Sequence, residues 1–229
     1  MRFSEIYSQG RSVFSFEFFP PKKIEDIDSA KENIRRLARL TPDFMTVTYG
    51  AGGGTRALTG ELVSFIAHEL NFPAVAHLTC VHHTVQEIDA ILRSLHNSDI
   101  GHILALRGDS VHGEPVTPED LPGFSCARDL IKYLAAKWNF SIACAGYPET
   151  HPQATSQLAD MSYLAEKTQM GAEIVITQVF FDAGIYFDFV RRARAAGISA
   201  PIVPGIMPIS NVGQIERFTA KCSASIPQK

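Results

Sequence analysis

The chain has 229 residues, a length that fits one large α/β domain or two small ones. Its apolar content of 45% and charged content of 20% are ordinary for a globular protein with a hydrophobic core. The 21 Lys and Arg residues against 24 Asp and Glu residues give a formal net charge of −3 without a basic cluster, so we expect no nucleic-acid partner.

Membrane and export signals are missing from the sequence. Residues 1–12 are polar and lack the apolar centre of a signal peptide, and no apolar run reaches the length that spans a bilayer. The four cysteines have no paired short spacing, which is typical of thiols in a reducing compartment. We therefore expect a cytoplasmic protein that does not bind membranes; these cysteines are Cys80, Cys126, Cys144 and Cys222.

Short apolar runs alternate with stretches of helical periodicity along the whole chain. In chain order, the runs predict strands at 13–19, 44–49, 74–79, 102–109, 140–145, 173–180 and 201–206. Apolar residues recur at spacings of three and four after each strand, and Thr84 with Glu87 forms a capping-box pattern at the start of one helix. The polar stretch 110–124 is long enough to indicate a functional loop or lid.

This alternation predicts the fold class. Strand and helix repeat at about thirty residues per unit, which indicates right-handed βαβ units and a parallel sheet. Seven such units favour an α/β fold of the TIM (β/α)8 barrel type over a doubly wound sheet. No linker interrupts them, so we expect a single barrel domain over residues 1–229. An eighth unit is not visible, and this leads us to expect a barrel that is incomplete at its C-terminal end, with open edges at 13–19 and 202–206.

Polar side chains stand near the end of nearly every predicted strand, where barrel enzymes carry their chemistry. Glu17 lies between phenylalanines, so desolvation should raise its pKa and favour the neutral acid that a general acid requires. A structural ion pair with Arg107 or a buried lysine is the alternative, and the residues alone leave both open. The polar residues at the strand ends are Glu17, Thr48, His77, Arg107, Asp109, Tyr147 and Gln178.

Two other clusters suggest cofactors at first sight. The glycine run at 50–54 follows a strand and precedes a helix, as in a dinucleotide loop. The next strand ends without an acidic residue and no lysine follows the glycines, so a flexible turn is favoured. Cys80 lies close to His82 and His83, but no second ligand pair stands at a suitable spacing. We therefore predict surface or rim histidines and no metal site.

Seven motifs in this order resemble the methylenetetrahydrofolate reductase family, and together they cover essentially the whole chain. They are FEFFPP at 16–21, VTYG at 47–50, HLTC at 77–80, LALRGD at 104–109, GYP at 146–148 with HP at 151–152, ITQ at 176–178 and VPGI at 203–206.

The resemblance implies a TIM barrel that binds FAD and belongs to one-carbon and methionine metabolism. In this family NADH or NADPH reduces the flavin and leaves, and 5,10-methylenetetrahydrofolate then takes the hydride to give 5-methyltetrahydrofolate, a ping-pong sequence. Glu17 is implied as the general acid that helps to open the imidazolidine ring. Asp109 is implied as a catalytic residue that tunes the flavin, and Gln178 as a hydrogen-bond partner of the pterin.

The resemblance also assigns binding residues and an assembly state. Arg107 and Lys167 can balance a pyrophosphate, and Tyr147 offers a flat face with a polar tip. A homo-oligomer is implied as well. The implied folate-binding residues are Glu17, Asp109, Gln178, Gln214 and Phe218, and the implied flavin-binding residues are Thr48, His77, Leu106, Arg107, Gly108, Asp109, Ala127, Ala145, Tyr147, His151, Asp160 and Lys167.

The absent eighth unit motivates a second hypothesis, a truncated and non-catalytic paralogue or isoform that binds flavin or folate weakly or contacts an intact subunit. A third is another folate-using barrel, such as a pterin-binding methyltransferase, which would not need the flavin-contacting residues. The sequence shows no fingerprint that separates NADH from NADPH. The regulatory domain that eukaryotic members carry at their C-terminus is not visible either, so inhibition by S-adenosylmethionine is not expected.

Overall fold

The computed structural model of the chain describes residues 1–49, 53–109, 116–209, 211–222 and 224–227, without the side chains of 53–56, 214, 217, 218, 220 and 221. Seven β-strands lie within these residues, and each is followed by a helix. The strands are β1 (Ser15–Phe18), β2 (Phe44–Val47), β3 (Ala74–Thr79), β4 (His102–Leu106), β5 (Ser141–Gly146), β6 (Ile174–Val179) and β7 (Ile202–Gly205). The helices are α1 (Phe3–Tyr7), α2 (Ile27–Ala38), α3 (Gly53–Ser64), α4 (Val85–Asn97), α5 (Ala127–Lys137), α6 (Gln157–Gln169), α7 (Ala183–Ala195) and α8 (Val212–Cys222).

These elements confirm the predicted fold class, α/β of the TIM-barrel type with seven βα units. The described residues fall into two compact units, Met1–Ile142 and Ala143–Lys229, and the boundary lies within β5. The single domain over residues 1–229 stays a prediction. None of the described helices combines the length and the apolar character that a membrane span requires.

In the first unit, β1 to β4 run parallel, and their register decides which side chains share a face. Glu17 on β1 pairs with Thr46 on β2. The residues on either side of Thr46 belong to an apolar core with helices α2 and α3, and so does Ala76, directly before His77. Because side chains alternate along a strand, Glu17, Thr46 and His77 lie on the face opposite this core.

Helix α1, which the sequence did not predict, covers the amino ends of strands in the first unit. The ring of Phe3 lies 5.4 Å from that of Phe44 and 4.9 Å from that of His102, the first residues of β2 and β4. The Phe3 backbone N–H donates to Ser141 Oγ at 2.9 Å, and the Arg2 guanidinium donates to the Phe140 carbonyl at 3.1 Å. A five-residue helix would not persist alone in water, so these contacts hold α1 in place.

The second unit contains the parallel strands β5, β6 and β7. Gly146 at the end of β5 is tightly enclosed: an added Cβ would lie 2.7 Å from Val175 Cγ1 and 2.9 Å from Phe189 Cζ. Gly205 at the end of β7 is even more tightly enclosed, because an added Cβ would lie 2.3 Å from the Thr177 carbonyl oxygen. The ends of these strands therefore leave no room for side chains at the two glycines.

We predict that Phe3→Ala destabilises the first unit by about 3–5 kcal/mol, the usual cost of removing a fully buried aromatic ring. The measurement is the urea midpoint of unfolding. Phe187→Ala is the matched control, because that ring is 68% exposed and its loss should change the midpoint little. Equal urea midpoints for the two variants would contradict the burial of Phe3 against β2 and β4.

Candidate active site

Glu17 lies near the carboxyl end of β1, and two polar groups approach its oxygen Oε2. Thr46 Oγ1 donates a long hydrogen bond at 3.5 Å, and His77 Nε2 lies 3.7 Å away. Thr46 and His77 are buried, whereas the Glu17 side chain is 44% exposed. Three neighbouring strands thus support one carboxyl group that remains accessible to a substrate.

Burial controls the protonation of this group. Desolvation among the strand ends raises the pKa of Glu17 above its ordinary value even though one edge is exposed, and the hydrogen bond from Thr46 opposes that rise. Burial also lowers the pKa of His77 to about 3, so its ring is neutral near pH 7. The basic side chain within ion-pair distance of Glu17 is His77, whose ring is neutral, and not Arg107. The alternative that Glu17 forms a structural ion pair with Arg107 is therefore disfavoured.

His77 also carries an unsatisfied atom. Within the part of the chain that the structure describes, its Nε2 is buried and has no hydrogen-bond partner. A buried polar atom without a partner costs free energy, and such atoms in folded proteins call for a functional explanation. A polar group of a bound molecule at this position would satisfy the ring.

The end of β4 and the residues directly after it, 106–109, are held against the end of β3. The backbone N–H groups of Cys80 and Val81 donate to the Arg107 carbonyl at 2.9 and 3.0 Å. Gly108 has φ +92°, and an added Cβ would lie 2.9 Å from Thr79 Cβ, so the turn requires glycine. Asp109 follows as an exposed carboxylate.

Cys80 and His83, which suggested a metal on first inspection, make structural contacts instead. Burial raises the pKa of Cys80 to about 12, and its thiol donates to the Leu106 carbonyl at 3.3 Å. The buried His83 donates from Nδ1 to the Val81 carbonyl at 2.8 Å, and its Nε2 meets the Tyr49 hydroxyl at 2.9 Å. Among the described residues, no three His, Cys, Asp or Glu side chains are grouped as metal ligands.

The described part of the predicted lid packs on the turn after β3. The His82 backbone N–H donates to the Asp120 carbonyl at 2.6 Å, and His82 Nδ1 lies 3.6 Å from Asp120 Oδ1. At Gly123 an added Cβ would lie 2.6 Å from the His83 carbonyl oxygen. Residues 116–124 are thus docked against the same strand ends as the segment 106–109, while 110–115 lie outside the described residues.

Thr48 and Ala127 are the remaining predicted site residues of the first unit. The Thr48 backbone N–H donates to the Phe18 carbonyl at 2.9 Å, and its carbonyl accepts from Thr59 Oγ1 at 3.0 Å. These bonds fix the end of β2 beside β1. Ala127 is buried as the first residue of α5.

In the second unit, Lys167 is a buried cation on α6. Its ammonium donates to the Ala145 carbonyl on β5 and lies 5.1 Å from the centre of the Tyr163 ring. Within the described residues, no carboxylate lies within ion-pair distance of this ammonium. A buried charge without a counter-charge is costly, so the surroundings of Lys167 suit an anionic group.

Tyr147 and His151 form an aromatic pair directly after β5. Their ring centres are 4.5 Å apart at an interplanar angle of 72°. The Asp160 carboxylate accepts a hydrogen bond from the His151 backbone N–H at 2.9 Å, which ties this loop to the first turn of α6. The predicted site residues Ala145, Tyr147, His151, Asp160 and Lys167 therefore belong to one connected part of the second unit.

Gln178 on β6 is folded back onto its own strand. Its Oε1 accepts a hydrogen bond from the Val179 N–H at 2.8 Å, at a point where the pairing of β6 with β7 is irregular. Because Oε1 is engaged in this way, the amide NH2 supplies the donors that a ligand could use.

The backbone of Gln214 and Phe218 lies in α8, but their side chains, on which the predicted contacts depend, are outside the described residues. Gln178, Tyr147 and Ala224 are among the residues that line a small cavity of about 10 Å³, and the Ser225 N–H donates to Glu149 at 2.9 Å.

A larger groove of about 460 Å³ in the first unit is lined by helices rather than strand ends. Lys31 pairs with Glu61 there at 2.7 Å, beside the π-helical turn Phe65–Glu69 that extends α3. None of the predicted site residues lines this groove.

Comparison with known proteins identifies close relatives along the whole chain. Residues 2–229 match the sequence model of the family described as methylenetetrahydrofolate reductase. The probable methylenetetrahydrofolate reductase (NADH) of Oryza sativa subsp. japonica is 40% identical over 99% of this chain and 40% of its own length. The 5,10-methylenetetrahydrofolate reductase of Escherichia coli (strain K12) is 41% identical over 96% of this chain and 72% of its own length. The chain thus spans about 40% of the length of its plant relatives.

Similar solved structures support the fold alone, because their sequence identities are low. A protein from Clostridium thermocellum, described as binding two copies of 5-methyl-5,6,7,8-tetrahydrofolic acid, has a TM-score of 0.61 at 15% identity and covers 98% of this chain and 75% of its own. The muconate lactonizing enzyme of Pseudomonas putida has a TM-score of 0.51 at 14% identity over 97% of this chain and 54% of its own.

We predict that Gly108→Ala weakens the end of β4, because alanine is strained at this φ and its Cβ would press on Thr79. The expected cost is about 1–3 kcal/mol of unfolding free energy. Gly101→Ala is the matched control, since nothing lies within 4 Å of a Cβ there and its φ is not positive. The thermal midpoints of both variants provide the comparison. A midpoint for Gly108→Ala equal to that of the control would contradict the described turn.

Proposed function

The chain belongs to the methylenetetrahydrofolate reductase family, and from this membership we propose that it reduces 5,10-methylenetetrahydrofolate to 5-methyltetrahydrofolate with FAD as cofactor. The proposed electron donor is NADH or NADPH, and the proposed sequence is ping-pong. The names of the plant relatives favour NADH. The role in one-carbon and methionine metabolism is part of the same proposal.

The observation that carries the proposal is the protonation chemistry of Glu17. Ring opening of the substrate requires a proton for the departing nitrogen, and a carboxyl group serves as donor only if it is protonated near neutral pH. The raised pKa of Glu17 and the neutral ring of His77 both favour the protonated form, and the exposed edge of Glu17 leaves the carboxyl group open to a substrate. A positively charged neighbour would have favoured the carboxylate instead.

The first unit offers groups that fit a flavin. Its proposed contacts are Thr48, His77, Leu106, Arg107, Gly108, Asp109 and Ala127. The buried Nε2 of His77 lacks a partner among the described residues, and a polar ring atom of a flavin would supply one. The glycine at 108 is required by the turn itself, because Thr79 and Val81 fill the space that a Cβ would occupy.

The second unit also contains residues that are proposed to contact FAD. Its proposed contacts are Ala145, Tyr147, His151, Asp160 and Lys167. The buried Lys167 ammonium suits a phosphate or another anionic group. The Tyr147 ring adds a flat apolar face with a hydroxyl at its tip. FAD, when bound, supplies the site at which a hydride is taken up and given away.

Glu17 is the proposed general acid toward the folate, and Asp109 is proposed to tune the flavin electrostatically. Glu17 transfers its proton to the leaving nitrogen and becomes a carboxylate. Gln178, whose Oε1 is engaged by the Val179 N–H, can donate from its amide NH2 to acceptor atoms of a pterin. Gln214 and Phe218 are proposed to complete the substrate contacts.

The proposed setting is the cytoplasm, in a homo-oligomer. None of the four cysteines forms a disulfide, as is usual in a reducing compartment. No nucleic acid, membrane or metal ion takes part in the proposed activity.

We predict that the purified protein carries FAD. Denaturation should release a flavin that is identified as FAD by chromatography and by its absorbance spectrum. Release of FMN would contradict the cofactor. A well-folded preparation without any flavin would favour either a non-catalytic relative or a pterin-binding methyltransferase.

We also predict that Glu17→Gln separates the two half-reactions. The amide is nearly isosteric but cannot give a carboxylic proton, so folate reduction should fall by about 10²–10⁴-fold. Flavin reduction by the nicotinamide should be preserved, because no proton from Glu17 is needed there. Stopped-flow absorbance of the flavin follows both steps.

The matched control for this experiment is Glu25→Gln, an exposed glutamate in the connection after β1. Both half-reactions should keep their rates in the control. If Glu17→Gln slows both half-reactions to the same extent, Glu17 is structural and the assigned role is wrong.

A further inference from the structure

Thr46 is the feature of the candidate site that neither the motifs nor the proposed binding residues include. It lies in the middle of β2, where the residues on both sides are fully buried and apolar. Thr46 itself is only 2% exposed. A hydroxyl in such a position is unfavourable unless it is hydrogen-bonded, and the bond it makes is to Glu17.

The register of the sheet makes this contact a fixed one. Glu17 and Thr46 are directly paired across β1 and β2, so their side chains leave the same face of the sheet side by side. Thr46 is β-branched, and its χ1 is restricted on a strand. The hydroxyl therefore has little freedom to turn away from the Glu17 carboxyl.

The two oxygens of Glu17 have different surroundings. Both described polar contacts, from Thr46 at 3.5 Å and from His77 at 3.7 Å, are made to Oε2. No described side chain lies within hydrogen-bonding distance of Oε1. In a protonated carboxyl group one oxygen carries the hydrogen and the other accepts hydrogen bonds.

We infer that Thr46 is a positioning residue for Glu17: by donating to Oε2 it makes Oε1 the oxygen that carries the acid proton toward the substrate. The inference rests on the proposed function, since it names how the proposed general acid is oriented. The groups facing Glu17 among the described residues are Thr46 from β2 and the neutral His77 from β3. Neither brings a positive charge, so the hydroxyl is the group that favours the ionised form of Glu17.

The test compares Thr46→Val with Thr46→Ser. Valine keeps the shape and β-branching of threonine but removes the donor, so the pKa of Glu17 should rise. Serine keeps a hydroxyl, so the pKa should return toward the value of the parent protein. The full chain is labelled with ¹³C at the glutamate carboxyls and titrated by NMR without substrate, and the Glu17 resonance is identified by its loss in Glu17→Gln.

The kinetic counterpart is the pH profile of the folate half-reaction. A general acid works while protonated, so the rate falls as pH increases through the pKa of Glu17. In Thr46→Val this fall should move to higher pH, and in Thr46→Ser it should move back. Flavin reduction by the nicotinamide should keep its pH profile in both variants.

Two results would overturn the inference: an unchanged Glu17 pKa in Thr46→Val, or equal shifts in the valine and serine variants, which would indicate packing rather than the hydroxyl. The NMR titration also separates this inference from the proposed function. A shifted pKa in a protein that reduces no folate would support the contact and contradict the activity. Folate reduction by a protein whose Glu17 pKa is unchanged in Thr46→Val would support the activity and contradict the role of Thr46.

Discussion

The alternation of side chains along parallel strands is the constraint on which the candidate site depends. One face of the first unit's sheet packs on α2 and α3, and Met45 and Val47 of β2 and Ala74 and Ala76 of β3 belong to that core. The other face is free to carry polar groups, but each of them is desolvated there and needs a partner. The raised pKa of Glu17 and the lowered pKa of His77 both result from this desolvation.

Much of the fold could be predicted from the sequence, because apolar runs and helical periodicity report burial directly. All seven strands and the helices after them were expected close to where they occur. Helix α1 was missed, since its signal is only two buried apolar residues, Phe3 and Ile6, in a polar segment. Its stability comes from distant strand ends that no local pattern records.

Candidate site residues could be selected from the sequence where a residue type is unusual for a strand, as for Glu17 and His77. Thr46 was missed because threonine is common in strands, and its contact depends on the register between β1 and β2. The hydrogen bond between His83 and Tyr49 likewise joins separate elements. The residues implied by resemblance to the family carry more information than spacing alone, and Lys167 in particular is buried next to β5.

The position of α1 has a consequence for the order of events during synthesis. Phe3 and Arg2 bond to residues 138 positions later in the chain. At about 5–20 residues per second, the ribosome needs on the order of ten seconds to make that stretch. The first helix therefore leaves the ribosome long before Phe140 and Ser141 exist, and its hydrogen bonds to them cannot form during that interval. Elongation speed and chaperone access during this interval thus bear directly on how much of the first unit reaches its native state.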